Sequence, residues 1–171
     1  NGILLTLWDD TSPHFETYWR GIYDFALLTW NYSDIKKEEA HTAFRHRFYG
    51  PQVSAPSFNF QDTLESAIKF WETALINTGD RENYPRKIDT LTLPDAGTPG
   101  AWSQANAEKL TNAHRQIEQY KKIKQTIAKA LGLAKRNKYS LQIMDQVNEL
   151  QVYPSELLVR LEKYDRAGAG E

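Results

Sequence analysis

The start of the chain restricts its fold more than any other stretch. Residues 3–8 are apolar apart from Thr6, and two carboxylates, Asp9 and Asp10, follow directly. A continuous apolar run of this length predicts a β-strand that is buried on both faces, as in a parallel sheet covered by helices. Folds of that kind place their ligand chemistry at the carboxyl ends of the strands. Residues two apart on a strand share a face, so we expect Trp8 and Asp10 to point the same way.

An indole beside a carboxylate suits a sugar, because a pyranose packs an apolar face on the ring and donates hydroxyl hydrogen bonds to the acid. The alternative is that Trp8 is a core residue and Asp10 caps the next helix. His14 and Glu16 follow in the first turn of that helix, close enough to reach the rim of such a site. Alternatively, His14 is a surface residue, and Glu16 stabilises the helix by its favourable interaction with the positive end of the helix dipole.

The amino-acid sequence of this segment resembles that of a known protein family. Residues 6–21, TLWDDTSPHFETYWRG, are similar to the last barrel strand and last helix of family 20 glycoside hydrolases, the β-N-acetylhexosaminidases. That family ends its barrel with Trp, one residue and an acid, which here is Trp8-Asp9-Asp10. The resemblance implies that Trp8 lines the floor of the terminal sugar's pocket and that Asp10 accepts from its outer hydroxyls. The usual acid is Glu, so Asp10 is one methylene shorter. The resemblance covers residues 2–50.

The family's catalytic Asp-Glu dipeptide occurs nowhere in this sequence. In the family, the acetamido oxygen of the substrate attacks the anomeric carbon while the Asp orients it and the Glu acts as acid and base. A whole barrel takes about 250 residues. We therefore expect the C-terminal part of an exo-β-N-acetylhexosaminidase, without a catalytic residue of its own and inactive alone. Asn1-Gly2 shows no initiator Met and no signal peptide. The resemblance implies a periplasmic or secreted parent that acts on N-acetylhexosamine-containing glycans.

Composition and spacing exclude several other functions. The net charge of −1 gives no electrostatic footprint for nucleic acid, and no apolar stretch approaches the length of a membrane span. The absence of Cys excludes disulfides and thiolate metal sites. His41 and His46 are five residues apart, which places them on different faces of a helix, so they do not form a metal-binding pair. We predict that both are surface residues and that the chain has no metal and no cofactor.

From residue 34 onward the patterns predict helices joined by a long polar connection at 79–102. This connection is expected to wrap over the helices, and the alternative is a flap that faces the substrate. The predicted fold is mainly α, a bundle of about five or six helices preceded by one β-strand left over from a (β/α)8 barrel. The predicted domains are 1–50, the end of the barrel, and 51–171, a helical domain. The helices are expected near 12–30, 34–49, 60–77, 103–131, from 140, and again from 154 because Pro154 restarts the chain.

The longest predicted helix carries an apolar stripe at roughly heptad spacing, which is typical of a bundle or coiled-coil seam. Its members are Leu110, Ala113, Ile117, Tyr120, the stem of Lys124, Ile127 and Leu131. This seam supports an alternative function, a non-enzymatic helical module that forms a homo-oligomer or docks on a partner. A third alternative is a barrel glycosidase of another specificity with the same C-terminal strand.

Overall fold

The computed structural model describes residues 3–6, 14–30, 36–64 and 92–167. Within these ranges the protein is mainly helical and has no β-strand, which confirms the predicted helical class. Short 3-10 turns at Phe15–Tyr18, Pro51–Val53 and Pro56–Phe58 accompany the α-helices. The α-helices with known bounds are α1 (Trp19–Trp30), α2 (Lys37–Phe48), α3 (Ala101–Ala105), α4 (Ala107–Leu133) and α5 (Lys138–Ala167).

The predicted N-terminal strand is described only at residues 3–6, which adopt neither strand nor helix. Ile3 and Leu4 are 75% and 83% exposed. A strand requires hydrogen bonds to a neighbouring strand, and the described ranges contain no strand that could supply them. The rest of the predicted strand, residues 7 and 8, lies outside the described residues.

Contacts within the chain define two compact units. One unit combines Asn1–Phe60 with Lys124–Val147, and the other combines Gln61–Ile123 with Asn148–Glu171. Helices α4 and α5 therefore contribute residues to both units. The boundary predicted at residue 50 concerns the end of a barrel domain, and it stays a prediction.

In the first unit, α1 and α2 form an antiparallel hairpin. The interhelical pairs, in order, are Trp19–Phe48 (ring centroids 5.9 Å apart), Tyr23–Phe44 (5.5 Å) and Asp24–His41 (nitrogen to oxygen 3.6 Å). Residues that are three or four positions apart share a face of a helix, so the spacing of these side chains alone brings them to one side. Aromatic rings fill one end of the contact, and the polar pair occupies the other.

The C-terminus of α2 is capped by the turn that joins α4 to α5. Three donors of the turn reach carbonyls at the end of α2: the Lys135 N–H to Tyr49 (2.9 Å), Asn137 Nδ2 to Phe48 (2.8 Å) and an Arg136 guanidinium nitrogen to His46 (3.2 Å). The last four carbonyls of a helix have no partner inside the helix, and cations are favoured beside them. The turn therefore supplies both the donors and the positive charge that the end of α2 requires.

Tyr49 sits in the core of this unit directly after α2. It is 1% exposed, and its hydroxyl lies 3.4 Å from Ser140 Oγ on α5. Burial is the main cause that raises the pKa of Tyr49 to about 12. The other buried apolar side chains of the unit are Phe44, Val53, Phe58, Phe60, Ile127, Ala130, Ala134, Leu141, Met144 and Val147.

The second unit has its own apolar cluster, formed by Trp102, Leu110, Ala113 and Leu158. The Trp102 indole donates to the Thr92 carbonyl at 2.6 Å, which ties the segment before α3 to this cluster. The Asp165 carboxylate accepts the Ser103 N–H at 2.8 Å. Hydrogen bonding to Ser103 lowers the pKa of Asp165, because it favours the ionised form. The long helix was predicted to begin at residue 103, but Ser103 lies inside the short helix α3, where its N–H is capped by Asp165 near the far end of α5.

The predicted restart at Pro154 is wrong, because α5 continues through it to Ala167. Proline inside a helix removes one hydrogen bond and usually kinks or ends the helix. Here Pro154 and its neighbour Ser155 are fully buried, so packing holds the helix on both sides of the missing bond.

Part of the apolar seam of α4 is buried within the protein itself. Leu110, Ala113 and Ile127 are 4%, 0% and 0% exposed within the protein itself. In the middle of the helix the buried position is Ile123 rather than the neighbouring Lys124, whose side chain is exposed. At these three positions the seam is therefore core of the single chain, whereas Ile117, Tyr120 and Leu131 are half-buried.

Candidate functional site

The two residues predicted to touch the sugar, Trp8 and Asp10, lie outside the described residues. The predicted rim residues do lie within them, and both are half-buried. His14 precedes the first 3-10 turn, where its Nδ1 accepts the Glu16 N–H at 3.1 Å. The His14 ring also meets the edge of Tyr139, with centroids 6.3 Å apart. Within the described ranges His14 therefore starts the helix, and Glu16 occupies its first turn.

A buried polar layer lies between α1 and α2 and was not predicted from the sequence. His41 is 3% exposed, and its Nε2 faces Asp24 Oδ2 at 3.6 Å. Arg20, one turn before Asp24 on α1, is 7% exposed. The second oxygen of Asp24, Nδ1 of His41 and the Tyr23 hydroxyl are buried without a hydrogen-bond partner among the described residues. Each such group costs about 1–3 kcal/mol of stability.

The charges around Asp24 act in opposite directions. Desolvation by burial is the largest effect and raises the pKa of the Asp24 carboxyl, while His41, Arg20 and Lys37 lower it. The net result is a raised pKa, so the protonated form of Asp24 is favoured more than in an unfolded chain. Asp24 and His41 together form an acid and base pair between α1 and α2.

The prediction that His41 is a surface residue is wrong, whereas His46 is exposed as predicted. The signal for His41 was present in the spacing. His41, Phe44 and Phe48 lie at positions i, i+3 and i+7, which form one stripe of a helix. His41 therefore continues the buried stripe that the apolar residues Phe44 and Phe48 form.

The opposite side of α2 lines a shallow, open groove of about 450 Å³. Its lining residues are Glu38, Glu39, Thr42, Ala43, His46, Arg47 and Ser54. Acidic side chains stand at the N-terminal end of the groove and basic side chains at its C-terminal end, with small residues between them. Glu38 is already paired inside the protein, because one of its oxygens accepts from Arg45 at 2.9 Å.

A second polar cluster lies on the other compact unit, where Glu162 contacts a histidine and an arginine. Glu162 is 8% exposed, and its oxygens contact His114 Nε2 at 2.8 Å and the Arg166 guanidinium at 2.6 Å. The His114 side chain is 56% exposed. The His114–Glu162 contact links α4 to α5.

The described ranges contain no group of three or more His, Cys, Asp or Glu side chains that could hold a metal ion. Among the helices described there, none combines the length and the apolar character that crossing a bilayer requires. What the described residues offer is a buried Asp–His pair and an open groove of mixed charge. Comparisons with protein-family models, with curated proteins and with solved structures found no match to this chain.

Proposed function

We propose that this chain is the C-terminal part of an exo-β-N-acetylhexosaminidase, an enzyme that removes terminal N-acetylhexosamine from glycans. One observation carries the proposal: the sequence Trp8-Asp9-Asp10, at the end of an apolar run and directly before a helix. The proposed role of Trp8 is to pack its indole on the apolar face of the terminal sugar, and that of Asp10 is to accept hydrogen bonds from its outer hydroxyls.

Two features of the described residues agree with this proposal. Helical structure begins at Phe15 and continues through α1, where the last helix of a barrel is expected to follow its strand. Apolar side chains are exposed at Ile3 and Leu4 and again at the end of α1, where Trp30 is 92% exposed. Exposed apolar side chains such as these provide surface that further protein can cover. In the proposed enzyme that protein is the remainder of the barrel.

The proposal assigns no catalytic residue to this chain, because it lacks the Asp-Glu pair of the family. In the proposed enzyme, the acetamido oxygen of the substrate attacks the anomeric carbon, and the Asp and Glu of the pair come from an earlier strand. Trp8 and Asp10 would act by binding and orienting the sugar. Losing the Asp10 carboxylate is therefore expected to raise KM and lower kcat/KM without abolishing the reaction.

The test compares hydrolysis of an aryl β-N-acetylglucosaminide by this 171-residue chain and by the longest natural protein that contains it. We expect activity only in the longer protein, reduced about 10- to 100-fold in kcat/KM by Asp10→Ala, the range of one lost charged hydrogen bond. Asp9→Ala is the matched control, because adjacent residues of a strand point to opposite faces. Unchanged kcat/KM in Asp10→Ala, or an inactive longer protein, would refute the proposal.

A barrel glycosidase of another specificity remains the second candidate, and the short side chain of Asp10 favours it. A Glu would place its carboxylate one methylene further into the pocket, so Asp10 suits a sugar that sits closer to the strand end. A panel of aryl glycosides that differ in the 2-substituent and the 4-hydroxyl separates the two candidates. Faster hydrolysis of a substrate without the acetamido group would select the second.

A further inference from the structure

The outer face of α2 has a charge pattern that is complementary to itself. Glu39 and His46 are seven residues apart, two helical turns, so they lie on one line along the helix about 10 Å from each other. Thr42 and Ala43 lie between them, one on each side of that line. The midpoint of Glu39 and His46 falls between Thr42 and Ala43, so the acid and the base are equally far from it. The next residue after His46, Arg47, adds a cation at the same end.

This symmetry has a direct geometric consequence for two antiparallel copies of α2. A two-fold axis through the midpoint places Glu39 of each copy opposite His46 of the other, with Arg47 within reach of the same carboxylate. Two equivalent acid–base contacts form, one at each end, and no like charges meet along the line. Thr42 and Ala43 lie at the centre, where small side chains allow helix axes to approach to about 8 Å. The contact is isologous, as in most homodimers.

We propose that the outer face of α2 is a self-association surface, which binds the same face of a second copy of this chain in antiparallel orientation. Charge complementarity favours a second copy as the partner. Along the helix the order is acid, small residues, base, and an antiparallel copy presents the opposite order, so each acid faces a base. This inference is independent of the glycosidase proposal, since it uses neither Trp8 nor Asp10.

The side chains required for this contact are accessible. Glu39, His46 and Arg47 are exposed, and the structure gives none of their charged groups a partner among the described residues. Glu38 differs, because it accepts from Arg45 at 2.9 Å and from Asn59 Nδ2 at 3.4 Å. Glu38 therefore forms a fixed wall of the groove and is left out of the intermolecular pairing.

The size of the surface limits the strength of the dimer. A helix of 12 residues is about 18 Å long, so one face buries a few hundred Å² per copy, well below the roughly 800 Å² of a standard interface. Exposed ion pairs add little each and are screened by salt. We therefore expect weak dimerisation that is visible only at high protein concentration and that weakens as the salt concentration rises.

Sedimentation equilibrium on the 171-residue chain, from about 10 µM to 1 mM protein at low and high salt, tests the inference. This range of concentration covers the weak dissociation constants expected of a small interface. We expect a monomer–dimer equilibrium at low salt that shifts toward monomer at high salt. Glu39→Lys is expected to weaken association about tenfold, because it replaces two attractions with two repulsions. Glu108→Lys is the matched control, since Glu108 is also exposed in the first turn of a helix but lies on α4.

A charge-swap mixture separates this contact from any other dimer. Glu39→Lys and His46→Glu each place like charges opposite each other and should remain monomeric, whereas their equimolar mixture restores both contacts and should form a heterodimer. A wild-type chain that is monomeric at 1 mM and low salt would overturn the inference, and so would a mixture no more associated than its components. Circular dichroism of each variant verifies that the helices are retained. Activity of the longer protein is a separate readout, so either proposal can fail alone.

Discussion

Asn137, in the turn between α4 and α5, has two separate structural roles, one in its backbone conformation and one in its side-chain hydrogen bond. Substitutions at this position distinguish the two. Its backbone has a φ of +52°, in the left-handed region that residues with a Cβ rarely adopt. Its side-chain Nδ2 also donates to the Phe48 carbonyl at 2.8 Å and so caps α2. Ala at this position loses the hydrogen bond and retains the unfavourable φ. Gly also loses the hydrogen bond, but it adopts this φ without strain.

The magnitudes follow from these two contributions. A hydrogen bond at an exposed site contributes about 0.5–1.5 kcal/mol net, and the left-handed conformation costs a residue with a Cβ about 1–2 kcal/mol. Asn tolerates this conformation better than Ala, so Asn137→Ala should lower the free energy of unfolding by about 1.5–3 kcal/mol. Asn137→Gly should lower it by only about 0.5–1.5 kcal/mol, the hydrogen-bond contribution.

Urea unfolding measures this difference, followed by both circular dichroism and tryptophan fluorescence to verify that the transitions coincide. The slope of free energy against urea concentration should be the same in all three proteins, because the turn buries little surface. The ordering wild type, Gly, Ala is the decisive result. If Gly were as destabilising as Ala, the left-handed backbone at residue 137 would carry no cost. If neither changed stability, the cap on α2 would contribute nothing.

Two further predictions concern the core and the polar layer. Leu158→Ala should lower the free energy of unfolding by about 2–5 kcal/mol in urea titrations, because Leu158 is fully buried in the Trp102 cluster, whereas Leu150→Ala, at a 55% exposed position, should change it by less than about 0.5 kcal/mol. A Leu158 variant as stable as the Leu150 variant would contradict the described packing. The raised pKa of Asp24 means that the folded protein binds this proton more tightly than the unfolded chain does, so the contribution of Asp24 to stability should fall as pH rises above 3.8 and through the folded pKa. Asp24→Asn should therefore become more stable relative to wild type over that pH window in thermal unfolding, and a difference that did not grow with pH would contradict a raised pKa.

Several features of this protein are determined by local sequence. The Gly50-Pro51 pair ends α2 because Gly50 adopts a φ of +122° and Pro51 cannot continue a helix, and α2 ends at Phe48, one residue before the predicted end at 49. The apolar spacing of α4 likewise predicted a long helix, and Leu110, Ala113 and Ile127 are buried on it. These are effects of neighbouring residues, and spacing along the chain is enough to reveal them.

Other features depend on residues that are distant in the chain. The helix-breaking tendency of Pro154 is a local property, yet α5 passes through it because the surrounding side chains are buried. His41 is chemically typical of a surface, and only the packing of α1 against α2 places it opposite Asp24. Ser is a residue type that often caps helices, but here the Ser103 N–H donates to the carboxylate of Asp165, 62 residues away in the chain.

The sequence by itself therefore determined the helical class, the C-terminal end of α2, the presence of the long helix α4 and the resemblance at Trp8 and Asp10, because each depends on residues a few positions apart. The tertiary structure decided which helices continue, which polar residues are buried and which faces stay open. Those outcomes depend on the free energy of burying side chains that are far apart in the chain, and that energy can exceed the few kcal/mol of a local preference such as a helix-breaking proline.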